Sequence, residues 1–142
     1  MFFLQKSLCF IICLLWFSLG FAGINNPLII NFSKTQYGAA NKNWSISEDE
    51  HGILYFGNDI GLLEFDGIEW KLNKLPKAEV VRSVYVVSNN EIYTGGYEEF
   101  GKWSRQPDGE LTYTSLSKEL PTDNWQNDDI WRILPQGESI YF

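Results

Sequence analysis

Trp44-Ser45-Ile46-Ser47-Glu48-Asp49-Glu50-His51-Gly52-Ile53-Leu54-Tyr55-Phe56-Gly57-Asn58-Asp59-Ile60-Gly61-Leu62-Leu63-Glu64-Phe65-Asp66-Gly67-Ile68-Glu69-Trp70 alternates short apolar runs with tight-turn residues. Trp44 and Ile46 alternate with Ser45 and Ser47, the period-two pattern of a strand. A polar turn at 48–52 leads into the apolar run 53–57. A second turn at 58–61 leads into 62–65. Asp66-Gly67 is a strong hairpin signal before an alternating strand over 68–72. Four strands with three tight connections make one antiparallel meander, the unit of a propeller blade.

The unit recurs. Val80–Val87, Glu91–Gly95, Phe100–Ser104 and Glu110–Thr114 read as a second set of four strands, with turns at Asn89-Asn90 and Pro107-Asp108-Gly109. A third set opens with a strand over Asp129–Leu134, a turn at Pro135-Gln136-Gly137 and the start of another strand. Tyr55, Tyr93 and Tyr141 anchor the three copies, 38 and 48 residues apart. Periods of this size are the signature of stacked or radial repeats. Periodicity alone leaves a β-sandwich of evenly spaced hairpins open. Upstream, Leu28–Phe32 reads as a strand after Pro27, and Tyr37–Lys42 as loop. Ser115–Leu120 has room for one short helical turn.

The first 22 residues have a different character. Lys6 precedes an apolar stretch from Leu8 to Leu19, and small residues follow. That stretch is short for a bilayer span and has the shape of a secretory signal peptide, cleaved after Ala22 or Gly20. An uncleaved membrane anchor is the alternative. Both cysteines, Cys9 and Cys13, lie inside it, so the exported part has no disulfide and must hold together by packing. Cys13 follows Phe10-Ile11-Ile12 without the small residue that precedes a lipidated cysteine. The formal net charge is −7, and losing Lys6 takes it to −8. Such an acidic domain without a basic run repels phosphate, which argues against nucleic-acid binding by this segment.

The motifs then carry a resemblance. Asn43-Trp44-Ser45-Ile46, Gly52 with Leu54-Tyr55-Phe56-Gly57, and Gly61 through Gly67 followed by Trp70 resemble the two-component regulator propeller repeat. Val81-Arg82-Ser83-Val84, Ile92-Tyr93, Gly95-Gly96, Glu99-Phe100-Gly101 and Trp103 resemble its next blade. Tyr113–Leu116 and Asp129–Ile133 resemble the run into a third. The resemblance covers nearly all of the chain after the signal. It implies a periplasmic sensor of a Bacteroidetes-like bacterium, the exported start of a longer protein. Relatives carry more blades, a triple-tyrosine β-sandwich, a membrane helix, and a histidine kinase or helix-turn-helix output. Glycan fragments are frequent ligands of the class.

The expected organisation is a signal peptide (1–22), a lead-in strand and loop (23–42), a first blade (43–79), a second blade with a polar insertion (80–127) and the truncated start of a third (128–142). The fold class is all-β, about two and a half blades of an incomplete propeller ring. Partners would be an extracellular or periplasmic ligand such as an oligosaccharide, and the missing C-terminal blades. The membrane is met only through the signal peptide, with a later helix anchoring the full-length protein. Ring closure needs at least four blades, so the chain alone is expected to expose an apolar face and a sheet edge.

Aligning the first strands puts Trp44, Arg82 and Trp131 at one repeat position. First strands line the central channel of propellers, where indole and guanidinium groups can stack on a sugar and hydrogen-bond its hydroxyls or acid groups. Packing between blades is the competing role for the tryptophans. Tyr97 and Trp103 are weaker ligand candidates, and Trp70 reads as interblade core. His51 sits in an acidic turn that lacks the spacing of a calcium loop, so no metal is expected. The carboxylate pairs Glu98-Glu99, Asp128-Asp129 and Glu64/Asp66 have turn or strand roles, and no catalytic residue or cofactor is assigned. The expected function is extracytoplasmic ligand sensing without enzymatic activity in this segment. A propeller-type carbohydrate-active enzyme and a protein-binding scaffold are the alternatives.

Overall fold

The computed structural model describes residues 27–77, 80–121 and 127–142. The signal-peptide segment 1–22 lies outside them. The chain divides into one unit ending at Asn31 and another running from Phe32 to Phe142. In the first, the described residues adopt no regular structure, and Leu28, Ile29 and Ile30 are exposed. The expected strand over Leu28–Phe32 is therefore not formed. A strand needs a ladder partner for its N–H and C=O groups, and no described strand pairs with this segment.

The second unit is mostly β. Its first sheet contains β1 (Asn43–Glu48), β2 (Leu54–Asn58), β3 (Gly61–Phe65) and β4 (Trp70–Asn73), paired antiparallel in chain order. Its second sheet repeats the arrangement with β5 (Val81–Ser88), β6 (Glu91–Gly96), β7 (Phe100–Arg105) and β8 (Leu111–Ser115). A hairpin of β9 (Leu134–Gln136) and β10 (Ser139–Tyr141) follows. Asp66 shows why its hairpin closes: its Oδ1 accepts the backbone N–H of Ile68 at 2.8 Å and of Glu69 at 2.7 Å. Gly67 takes the left-handed φ of +95° that this turn requires.

Two further elements differ from expectation. A short helix α1 (Lys34–Tyr37) precedes the sheets. Gln36 Oε1 accepts the Ser33 N–H at 2.7 Å, and Gly38 ends the helix at φ +64°. In the third repeat the ladder starts at Leu134 rather than Asp129, and the turn falls after Gln136, at Gly137-Glu138. Asp129 instead makes an isolated bridge to Tyr97, and the Ile130 N–H donates to the Gly96 carbonyl at 2.8 Å. Those contacts hold 129–130 against the end of β6, so the hairpin ladder begins only beyond them. Ser117–Glu119 forms the expected single turn, of the 3-10 kind.

Tyr55 and Leu62 from the first sheet, with Leu75 just after it, pack with Val81, Ile92 and Trp103 from the second to form the core. Side chains alternate across a strand, so the faces can be followed from one unit to the next. Gly57 lies on the Tyr55 face of the first sheet. A Cβ there would stand 2.7 Å from the Val81 carbonyl oxygen of the second sheet. Gly95 is its counterpart 38 residues on, and a Cβ there would collide with the Ile130 side chain of the third unit. Tyr93, on the Gly95 face, meets the Phe142 ring at 6.0 Å, and Phe100 meets it at 4.4 Å. The same face of each unit thus receives the next one, and the second sheet is covered on both sides.

Trp70 is not part of the core between the sheets. It stacks on Phe65 at 4.3 Å and meets Phe32 at 5.2 Å, Phe56 at 5.4 Å and Tyr37 at 5.7 Å, on the opposite face of the first sheet. The register explains this: Trp70 pairs with Phe65 and Phe65 with Leu54, whereas Tyr55 belongs to the other face.

Candidate functional site

Trp44 and Arg82 share a local irregularity. On β1, Asn43 pairs with Asn58 and Ser45 with Gly57, so Trp44 is the extra residue of a bulge. On β5, Val81 pairs with Gly96 and Ser83 with Gly95, so Arg82 is the extra residue there. A bulge frees a side chain from the sheet's alternation and re-aims it. Here both converge. The Arg82 guanidinium carbon lies 4.1 Å from the Trp44 ring centroid and 5.0 Å from that of Trp131. The two indoles meet edge to face, 5.8 Å apart at 72°. The three residues singled out by repeat position are brought together.

The surrounding groups fix this arrangement. The Trp44 indole N–H donates to Asp59 Oδ1 at 2.7 Å, and Arg82 Nε donates to Asp129 Oδ1 at 3.1 Å. Lys42 Nζ lies 5.6 Å from the Trp44 ring. Asn58, fully buried, pins the entering loop. Its amide nitrogen donates to the carbonyls of Ala40 and Lys42 and to Asn43 Oδ1. Its amide oxygen accepts the N–H of Ala40 at 3.1 Å and of Ile60 at 3.2 Å. Ser83 Oγ donates to the Ile130 carbonyl at 2.8 Å, which sets Trp131 beside Arg82. Both indoles keep open surface: Trp44 is 39% exposed and Trp131 56%.

The other candidates separate. Tyr97 is 44% exposed, bridges Asp129 through its backbone and donates its hydroxyl to Asn127 Oδ1 at 3.2 Å. It stands at the margin of the cluster. Trp103 is buried and donates its indole N–H to Thr94 Oγ1 at 2.9 Å, so it is a core residue and not a ligand contact. Its place in the β6–β7 ladder turns it toward the first sheet. Asp49, Glu50 and His51 bring possible metal-ligand atoms within 4.8 Å of one another. The Asp49 oxygens, however, already accept from the His51 and Ile53 N–H groups and the Tyr55 hydroxyl. Glu50 accepts the Asn89 N–H. These residues tie a turn together.

Asn58 and Asp59 were not singled out by their sequence context, where they look like ordinary turn residues, and Asp129 stood out only as half of a carboxylate pair with a strand-entry role. No helix among the described residues is long and apolar enough to cross a membrane. Comparison with protein-family models, curated proteins and solved structures found no match.

Proposed function

We propose that this chain is a sector of a β-propeller of the two-component regulator type, working outside the cytoplasm and binding a glycan or another small ligand at Trp44, Arg82 and Trp131. The observation that carries the reading is the convergence of these residues, which come from equivalent positions of successive repeats, into one partly open aromatic and cationic cluster. Two further features support a radial repeat. The same face of each unit receives the next, which leaves the second sheet covered on both sides as no two-layer sandwich would be. The sheets also approach most closely where β5 meets β1 and β2, near the strands that carry the cluster.

In this reading the chain binds and does not catalyse. Signalling belongs to output parts of a longer protein, and the ligand acts by favouring one arrangement of those parts over another. The test is a thermal-shift screen of the full chain against neutral and acidic oligosaccharides, with Trp131→Ala in parallel. A bound ligand at a hundredfold excess over its Kd stabilises by about 2.7 kcal/mol. The expected result is a shift in the wild type that the variant loses. No shift with any saccharide, or equal shifts in both proteins, refutes the proposal.

A further inference from the structure

We infer that the cluster selects an uncharged ring ligand, a neutral saccharide, and that Arg82 is a positioning residue rather than a receptor for an acid group. The inference rests on the ligand-binding reading above and narrows it.

The charges around the indoles explain why. An anion receptor needs a guanidinium edge free to donate two parallel hydrogen bonds. Arg82 does not offer its Nε, which already donates to Asp129, and its Nη1, although it has no hydrogen-bond partner, is buried away from an incoming carboxylate. Its guanidinium sits in the corner between the two rings, which cross at 72°, within cation–π distance of each. A ligand carboxylate would have to displace Asp129 and disturb that packing.

The neighbourhood offers an anion no net attraction either. Arg82 and Lys42 are matched by Asp129 and Asp59, and Asp59 is held beside the cluster by the Trp44 indole. What remains open is apolar ring surface on Trp44 and Trp131, with the Tyr97 ring at the margin. Ring surface flanked by hydrogen-bonding groups fits the C–H face of a sugar whose hydroxyls point outward. Arg82 keeps the two indoles at their fixed mutual angle, and Asp129 keeps Arg82 there.

The experiment titrates the full chain with xylohexaose, mannohexaose and cellohexaose as neutral probes and trigalacturonate as the acidic probe, at low and high NaCl. Tryptophan emission reports binding. The expected result is binding of at least one neutral probe, with an affinity that changes less than about twofold between the salt conditions. Trp44→Ala and Trp131→Ala each weaken it by about tenfold or more. Arg82→Gln weakens it too and also diminishes the exciton couplet of the indole pair in the ligand-free protein. Arg82→Lys restores little of either, because an ammonium lacks the planar group that packs against the rings.

Salt-sensitive binding of trigalacturonate alone, abolished by Arg82→Gln with the couplet intact, overturns the inference and leaves a ligand site standing. Neutral binding that survives both tryptophan substitutions also overturns it. Binding of none of the four probes overturns the inference and counts against the ligand-site reading with it.

Discussion

Two ion pairs of equal length tie the first sheet to the second, and they should differ sharply in what they contribute. Arg105 Nη2 to Glu64 Oε1 and Lys71 Nζ to Glu110 Oε1 are both 2.8 Å. The first pair has side-chain exposures of 15% and 11%, the second 40% and 63%. Arg105 also donates to the Tyr55 hydroxyl at 2.8 Å, the Gly109 carbonyl at 2.9 Å and the Asn89 carbonyl at 3.1 Å. Removing the guanidinium leaves Glu64 buried without its counter-ion, a loss of roughly 3–5 kcal/mol for a fully buried pair. Residual exposure puts Arg105→Met at the low end, about 3 kcal/mol. Lys71→Met should cost about 0–1 kcal/mol, because water and salt screen that pair. Urea unfolding of both variants in low salt and in 1 M NaCl, a condition with a Debye length of about 3 Å, measures the difference. The Lys71 effect should vanish in high salt while most of the Arg105 effect remains. Equal losses below about 1 kcal/mol in both variants would refute the reasoning that burial, not distance, sets the strength.

Three more outcomes are expected. Asn58→Ala strips the hydrogen bonds that hold the loop before β1, costing about 2–4 kcal/mol and weakening binding at Trp44; unchanged urea unfolding would show the loop to be held otherwise. Gly57→Ala forces a methyl against the Val81 carbonyl and should cost about 1–3 kcal/mol, whereas Gly109→Ala, with open space around it but a φ of +86°, should cost about 1 kcal/mol in the same assay. Burial, with the hydrogen bond to Glu91, pushes the Tyr93 phenol up to about 12. The folded state therefore holds a proton that the unfolded chain releases near pH 10, and the stability that Tyr93 contributes is complete below about pH 10 and falls as pH rises toward 12. Phenolate absorbance differenced against Tyr93→Phe should show that late midpoint, and a midpoint near 10 would contradict it.

The two meanders were legible because their information is local. Alternation at Trp44–Ser47 and the Asp66-Gly67 turn specify strands and hairpins within a few residues, and β1 to β8 form close to where those signals place them. Helix α1 was missed although its signals are present in Ser33, Gln36 and Gly38, because four residues show no helical period. The third unit slipped because Asp129–Ile133 has a strand's apolar pattern while its hydrogen bonds go to the end of β6. Repeat position brought out Trp44, Arg82 and Trp131, since equivalent positions in stacked units approach in space. Their partners Asp59 and Asp129 were not legible: Asp129 comes 47 residues after Arg82, and Asp59 comes 15 after Trp44.

The bulges explain why chemistry and stacking can share a strand. Ser45 and Ser83 pair across the ladder with Gly57 and Gly95, the two glycines that let the following unit come close. Those positions cannot hold large side chains without separating the units. Trp44 and Arg82 occupy the adjoining positions, where the register slips by one residue and the alternation is relaxed. A bulky indole and a guanidinium therefore fit beside the tightest contact between units without opening it. The first two units differ at this one residue, tryptophan in one and arginine in the other, while serine and glycine keep the stacking. The groups placed there by the first two units meet each other, and Arg82 also meets the Trp131 indole that follows.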